Sequence, residues 1–181
     1  MKVISHRGYW KTPDEKNTAV AFRRSCMLGF GIETDVRDMG GQLVISHDVP
    51  TCGAMDMSEF LTLNGGDLPI ALNIKSDGLA EQISKAMESY NHSAWFVFDM
   101  SIPDMRMHLN AGNPVFTRMS EVEQVPIWFD ECEGVWLDQF DGVWFDVDFV
   151  TMLLDRGKRV CVVSSEVHRR DYSNLWKMLK P

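Results

Sequence analysis

The sequence predicts an α/β fold built on a mainly parallel sheet. Short apolar runs alternate along the whole chain with longer stretches in which apolar residues recur at helical spacing. A closed β/α barrel and an open doubly wound sheet both fit this alternation. No GxGxxG or GxxxxGK[ST] loop is present, so nucleotide-binding open sheets lose support. No repeat or Pro/Gly-rich linker divides the chain, and we expect a single domain over residues 1–181.

The first half of the chain contains most of the predicted elements. Strands are expected at residues 2–5, 31–37, 43–46, 69–74 and 94–98, and helices at 17–28, 58–63, 78–90 and 102–110. The first helix has Phe22 and Cys26 on one side and Gly29 where a C-cap glycine belongs. The helix at 78–90 has Leu79 and Ile83 at helical spacing. The strand at 43–46 follows two glycines, so it is either an extension of the preceding strand or a hairpin arm.

The second half continues the alternation with shorter elements. Strands are expected at residues 115–117, 134–137 and 159–163, helices at 149–154 and 170–179, and either a strand or a loop at 143–145. The whole chain is thus expected to contain about seven strands, whereas a standard β/α barrel has eight strands and about 250 residues. A barrel of 181 residues is therefore expected to be small, and both a pared-down barrel and a barrel without its last strand fit this length. A missing strand would leave an open edge, through which we expect oligomers to form.

The composition excludes several classes of partner. The chain is 45% hydrophobic and 24% charged, which is typical of a globular protein, and its net charge is -8. That charge argues against a nucleic-acid partner, because such binding depends on Lys and Arg. No apolar run of about 20 residues is present, so no membrane span is expected. The four cysteines form no CxxC pair, which favours a reducing cytoplasm.

Polar side chains collect where the predicted strands end. They are His6 and Arg7, Glu33 and Asp35, His47 and Asp48, and Asn73 and Lys75. Glu33 and Asp35 lie two apart on one strand and therefore share a face. In a β/α barrel, the carboxyl ends of all strands meet at one rim, where the active site lies. The cations at this rim would give an acidic protein a local site for an anion.

The residue types at these strand ends suit phosphate chemistry. Carboxylates on one strand are ligands for a hard divalent cation, Mg²⁺ or Ca²⁺. Such a cation neutralises charge on a phosphoryl oxygen. Two histidines, with an ordinary pKa of about 6.5, supply the proton transfers that a displacement needs.

Four short motifs, in order, resemble the glycerophosphodiester phosphodiesterase family. They are HRG at 6–8, NT at 17–18, ETD at 33–35 and HD at 47–48. The resemblance covers about the first 75 residues and implies a TIM-type β/α barrel in the superfamily that includes phosphatidylinositol-specific phospholipase C. It implies hydrolysis of a small phosphodiester to a phosphomonoester and an alcohol. It implies that His6 and His47 are the acid/base pair. The implied metal ligands are Glu33 and Asp35, and the implied phosphate contacts are Arg7 and Lys75.

Two positions depart from the pattern of that family. Lys16 stands where the family motif P-E-N-T has its acid, with Glu15 as an uncertain substitute. Asn73 stands two residues before Lys75, where the family often has a third acidic metal ligand. The Asn73 amide oxygen still suits a hard cation but has no charge, so we expect weaker metal affinity than in a site with three carboxylates.

The sequence leaves several alternatives open. The departures also fit a catalytically impaired barrel that binds a phosphorylated ligand without turnover, and the fold alone allows a different barrel enzyme. Glu33 and Asp35 also fit a purely structural ion-pair network. Later in the chain, the candidates for substrate contact are Ser101, Arg118 and Glu166, the roles of Asp99 and His168 are open, and His92 and His108 are expected to be solvated.

Overall fold

The computed structural model describes residues 1–64 and 68–180. It consists of two compact units, Met1–Pro114 and Val115–Pro181. Each unit pairs parallel strands with helices, so the predicted α/β class is confirmed. Across the described residues, no helix is long and apolar enough to cross a membrane. A single domain over residues 1–181 and a missing last strand stay predictions.

The first unit contains one mixed sheet. Its strands are β1 (Ile4–His6), β2 (Gly31–Met39), β3 (Gln42–Ile45), β4 (Met55–Asp56), β5 (Ile70–Ile74) and β6 (Trp95–Phe98). Its α-helices are α1 (Ala19–Met27), α2 (Met57–Leu63), α3 (Ala80–Ser89) and α4 (Ile102–Asn110). The strand order is β4-β3-β2-β5-β6, and β1 also pairs with β2. The ladders of β2 with β1, of β2 with β5 and of β5 with β6 are parallel.

Strand β2 is the centre of this sheet because it pairs with three strands. Its first residues pair with β1 and its last residues pair with β3 in antiparallel register. Gly40 and Gly41 have φ values of 60° and 83°, which fits the tight hairpin turn that joins β2 to β3. The alternative of a hairpin arm at residues 43–46 is therefore confirmed. The hairpin returns the chain to the level of Asp35, whose carbonyl accepts a hydrogen bond from the Ser46 N–H at 3.0 Å.

The core of the first unit lies against β5 and β6. Every residue of these two strands is buried, which explains why both appear in the sequence as continuous apolar runs. Phe22 of α1 and Phe60 of α2 are fully buried and pack edge to face with 4.9 Å between ring centroids. This packing joins α1 to α2 in the core of the first unit.

The turn after β1 packs tightly on α1 at Gly8, and this contact gives a testable prediction. Gly8 has a φ of 78°, and a Cβ there would lie 2.8 Å from the Ala21 Cβ and 2.9 Å from the Phe22 Cδ1. Both strain and overpacking should destabilise Gly8→Ala, by about 2–4 kcal/mol in the free energy of unfolding. Urea denaturation measures the change.

Gly29 provides the matched control for Gly8. It has a similar φ of 69°, but a Cβ there would meet no atom within 4 Å. Gly29→Ala should therefore cost only the backbone strain, about 1 kcal/mol. Equal losses in the two variants would show that close packing at Gly8 does not hold the turn.

The second unit contains a parallel sheet in the order β7-β8-β9. Its elements are β7 (Phe116–Met119), β8 (Gly134–Leu137), α5 (Val147–Asp155), β9 (Arg159–Val162) and α6 (Ser173–Leu179). Val135, Leu137 and Leu153 are buried in its hydrophobic core. Residues 143–145 form a loop, and the Asp146 carboxylate then caps α5 by accepting from the Phe149 N–H at 2.8 Å.

The predicted elements are present, but some boundaries differ. The last helix begins at Ser173 instead of residue 170, because Arg169 has a left-handed φ of 59° and the Asp171 carboxylate accepts from the Ser173 N–H and Oγ. Strand β4 and two 3₁₀ turns, Pro13–Glu15 and Ser165–His168, were not predicted. Within the described residues, seven strands form parallel ladders, as expected.

Candidate active site

The end of β1 contacts the middle of β2 through His6 and Arg7. His6 pairs with Glu33 in the parallel register. The Arg7 N–H donates to the Glu33 carbonyl at 2.9 Å and to its carboxylate Oε2 at 3.0 Å. The His6 Nε2 lies 3.8 Å from the same Oε2. The HRG segment is therefore fixed to the first of the two predicted metal ligands.

Asp35 is fully buried and lies among cations. Its Oδ2 is 3.0 Å from the Arg7 Nε, and its Oδ1 is 3.6 Å from the Lys75 Nζ. The Asn17 side chain donates to Oδ2 at 2.9 Å. Asp35 therefore joins the two predicted phosphate-binding cations into one cluster. These ion pairs also fit the structural ion-pair network that the sequence left open as an alternative.

Asn73 completes a group of three buried oxygens. It lies opposite Asp35 in the register of β5 with β2, and its Nδ2 donates to the Asp99 Oδ2 at 3.4 Å. Among the described residues, no donor gives a hydrogen bond to the Glu33 Oε1, the Asp35 Oδ1 or the Asn73 Oδ1. A buried acceptor without a donor is costly, and a bound cation would remove that cost.

The donor atoms of this group are of the type that suits a hard divalent cation. In residues 1–64 and 68–180, histidine, cysteine and acidic side chains nowhere gather in a group of three able to hold a metal ion. The site offers two carboxylates and one amide, all of them oxygen donors of the kind that Mg²⁺ and Ca²⁺ prefer. The residues therefore fit such a cation, with the amide as the weakest ligand.

Burial changes the protonation of the site. It raises the pKa of Glu33 to about 8, and the nearby Asp35 charge adds to the effect. It lowers the pKa of His6 to about 4, with the positive charge of Arg7 as the next cause. At neutral pH His6 is therefore a neutral imidazole that can accept a proton, and a cation bound at Glu33 would favour the ionised form of its carboxylate.

His47 lies in the loop after β3, close to the same part of β2. Its carbonyl accepts from the Arg37 Nε at 3.1 Å, and the preceding residue, Ser46, bonds to the Asp35 backbone. Its side chain is 44% exposed, and its Nδ1 lies 2.9 Å from the Asp48 Oδ1. The Asp48 carboxylate can orient the ring so that Nε2 faces away from Asp48.

The other candidates have structural contacts. Ser101 caps α4 and donates to the Asp77 carboxylate at 2.9 Å. In the second unit, Arg118 pairs with Glu123 at 2.6 Å, and Glu166 accepts from the Ser164 Oγ. Their substrate contacts stay predictions. His168 pairs with Asp138 at 2.7 Å.

His92 and His108 correct one expectation, because both are buried rather than solvated. The His92 Nε2 lies 3.1 Å from the Leu61 carbonyl oxygen. The His108 Nδ1 lies 3.0 Å from the Asn113 Nδ2, and its Nε2 lies 3.4 Å from the Asp104 carboxylate one helical turn earlier. Both histidines therefore belong to the packing of the first unit.

Asn17 is a site residue whose role the sequence did not reveal. It has a left-handed φ of 59°, which Asn tolerates better than most residues. Its side chain donates to Asp35 and accepts from the Thr34 Oγ1 at 2.9 Å, so it positions Asp35. The signal in the sequence was the NT pair directly before α1.

Glu15 does not take the place of the acid that Lys16 replaces. The Arg24 guanidinium binds both carboxylate oxygens of Glu15, and the Lys11 N–H donates to one of them at 2.7 Å. The bond to Arg24 is the main reason that the pKa of Glu15 falls to about 2. Glu15 therefore anchors its own turn to α1.

Similarity to known proteins is found among solved structures. No family model matches the chain. No curated protein matches it either. Among solved structures, the chain is similar to a glycerophosphodiester phosphodiesterase from Agrobacterium tumefaciens str. C58, with a TM-score of 0.70, 14% identity, and coverage of 90% of this chain and 86% of the other.

A second solved structure matches over nearly the whole length. It is a glycerophosphodiester phosphodiesterase from Thermotoga maritima, with a TM-score of 0.64, 15% identity, and coverage of 99% of each chain. The chain therefore has the fold of solved glycerophosphodiester phosphodiesterases. The resemblance that the four motifs indicated is confirmed at the level of the fold.

Proposed function

We propose that this chain is a phosphodiesterase of the glycerophosphodiester phosphodiesterase family, dependent on Mg²⁺ or Ca²⁺, that hydrolyses a small phosphodiester. The observation that carries the proposal is the set of three buried oxygens that accept no hydrogen bond from the described residues, on Glu33, Asp35 and Asn73, of which the Asp35 oxygen faces the Lys75 ammonium at 3.6 Å. They lie beside His6 and the cations Arg7 and Lys75. The likeness to two solved enzymes of that family supports the same function.

The side chains divide the work by their chemistry. Glu33, Asp35 and Asn73 would hold the cation, which when bound polarises a phosphoryl oxygen. Arg7 and Lys75 bind the phosphate. Each has a positively charged side chain that an ion pair with Asp35 holds at the site. Asn17 keeps the Asp35 carboxylate oriented while these charges share it.

The histidines move the protons. Hydrolysis of a phosphodiester requires one group to take a proton from the attacking oxygen and another to give a proton to the departing alcohol oxygen. His6 is neutral at pH 7, and His47 is oriented by Asp48. The products are a phosphomonoester and an alcohol.

The function is tested by assaying alcohol release from a panel of glycerophosphodiesters with Mg²⁺ or Ca²⁺. We expect turnover that stops with EDTA and returns when either cation is added in excess. Absence of turnover across the panel, together with cation-dependent binding of the same diesters, would overturn the enzyme and favour the alternative that Lys16 and Asn73 suggest, a barrel that binds without turnover.

A further inference from the structure

Lys16 is linked through Trp10 to the backbone of His6, the candidate catalytic histidine. Its Nζ lies 4.6 Å from the centroid of the Trp10 ring, a cation–π contact. The Trp10 Nε1 donates to the His6 carbonyl at 3.0 Å. The Lys16 side chain is therefore joined through the Trp10 ring to the backbone of His6, and the Lys16 charge is one of the smaller causes that lower the pKa of His6, after burial and Arg7.

Lys16 differs from the other positively charged residues of the site because no acidic side chain that the structure describes pairs with it. Arg7 and Lys75 both pair with Asp35. Within the described part of the chain, Lys16 forms no ion pair, and the adjacent Glu15 is engaged by Arg24. The indole ring attracts the ammonium but carries no net charge, so the positive charge stays available to a ligand.

The surroundings of Lys16 favour an anion over a purely structural role. Lys16 and Trp10 are both half-buried, so the Lys16 side chain is partly withdrawn from water. A lysine side chain is flexible and usually has no fixed position. The contact with the Trp10 ring restricts the position of the Lys16 ammonium. A cation held in a partly desolvated place without a counter-charge is arranged for an anionic group.

We propose that Lys16 binds a second anionic group of the substrate, carried by the alcohol part of the phosphodiester. This inference rests on the proposed function and names its substrate class, a phosphodiester whose alcohol bears a carboxylate or a comparable anion. Arg7 and Lys75 serve the phosphate, and Lys16 serves the additional charge. The preference for an anionic alcohol is thus set by one residue beside His6.

Two diesters that differ in one carboxylate test the proposal. Glycerophosphoserine and glycerophosphoethanolamine share the phosphate and the amine, and only the first carries a carboxylate on the alcohol part. For the wild-type protein we expect kcat/KM to be about tenfold higher for the serine diester, the size of one charge-assisted hydrogen bond. Lys16→Met should abolish the preference and Lys16→Glu should reverse it.

Lys11→Met is the matched control, because Lys11 is an exposed lysine in the same turn. It should keep the wild-type ratio. An equal loss on both diesters in Lys16→Met would overturn the proposal and assign Lys16 to the phosphate itself, and an unchanged ratio would overturn it as well.

A binding measurement separates this proposal from the proposed function. If the wild-type protein hydrolyses neither diester, calorimetry with the same two diesters still compares their Kd values. A tighter Kd for the serine diester that Lys16→Met removes would support the role of Lys16 even though the enzyme assignment failed. Equal Kd values in the wild-type protein would overturn the role of Lys16 alone.

Discussion

Replacing either His6 or His47 by alanine should lower kcat by about 10²–10⁴-fold on any glycerophosphodiester that the wild-type protein hydrolyses. That range is the usual contribution of a positioned acid or base. Neither change should alter the KM strongly, because the phosphate ligands that we propose are Arg7 and Lys75. Steady-state kinetics at saturating cation measures both parameters.

The folded state should survive both substitutions, so the loss can be assigned to chemistry. The side chain of His6 is 35% exposed and its nearest acid is 3.8 Å away, and the side chain of His47 is 44% exposed. Substitution of an exposed side chain such as His47 usually changes stability by less than about 0.5 kcal/mol, and we expect about 1 kcal/mol for the half-buried His6. Lys85→Ala, which removes an exposed ion pair with Glu81, is the control with full activity.

Full turnover in either histidine variant would remove that histidine from the mechanism. A loss confined to one of them would identify that residue as essential and the other as dispensable. If both variants lose activity but also unfold at lower urea concentrations than the wild-type protein, the loss of activity would follow from lost stability and not from lost proton transfer.

The strand-end residues were predictable because alternation along a strand is a local property. Glu33 and Asp35 lie two apart, so they share a face whatever else the chain does. Parallel strands end at one edge, which brings His6 to Glu33 and Asn73 to Asp35 in register. The two glycines made the hairpin that returns His47 one of two expected alternatives, and the antiparallel pairing of β2 with β3 decided between them.

The contacts that tune the site were not predictable, because they depend on how separate elements pack together. Nothing local indicates that Asn17 donates to Asp35 or that Arg24 engages Glu15. His108 was misjudged for a related reason. Its partner Asp104 lies one turn away on α4, but only the packing of the helix shows that both side chains are buried.

Asp35→Asn should have the second large effect, on both stability and cation binding. Asp35 is fully buried and pairs with Arg7 and Lys75, and asparagine keeps its shape without its charge. Breaking a buried pair costs about 3–5 kcal/mol, but Arg7 and Lys75 are 19% and 22% exposed and can reach water. We therefore expect a loss of about 2–3 kcal/mol in the free energy of unfolding.

The cation response separates a metal ligand from a structural acid. A cation at ten times its Kd stabilises the folded wild-type protein by about 1.4 kcal/mol. That gain corresponds to a Tm increase of about 3–5 °C for a chain of this size. Asp35→Asn should show no such increase, whereas Asp38→Asn, an exposed acid on the same strand, should keep it. A wild-type Tm that does not respond to Mg²⁺ or Ca²⁺ would leave Asp35 as part of an ion-pair network only.

Asn73→Asp extends the same measurement in the opposite direction. The new carboxylate would face Asp35 across the ladder and lie near Asp99, so repulsion should lower the Tm without a cation. A bound cation would relieve that repulsion, so the Tm increase on adding Mg²⁺ or Ca²⁺ should exceed that of the wild-type protein. A variant that loses stability without gaining cation response would show that the Asn73 oxygen points at no cation, and the third ligand would have to be sought elsewhere.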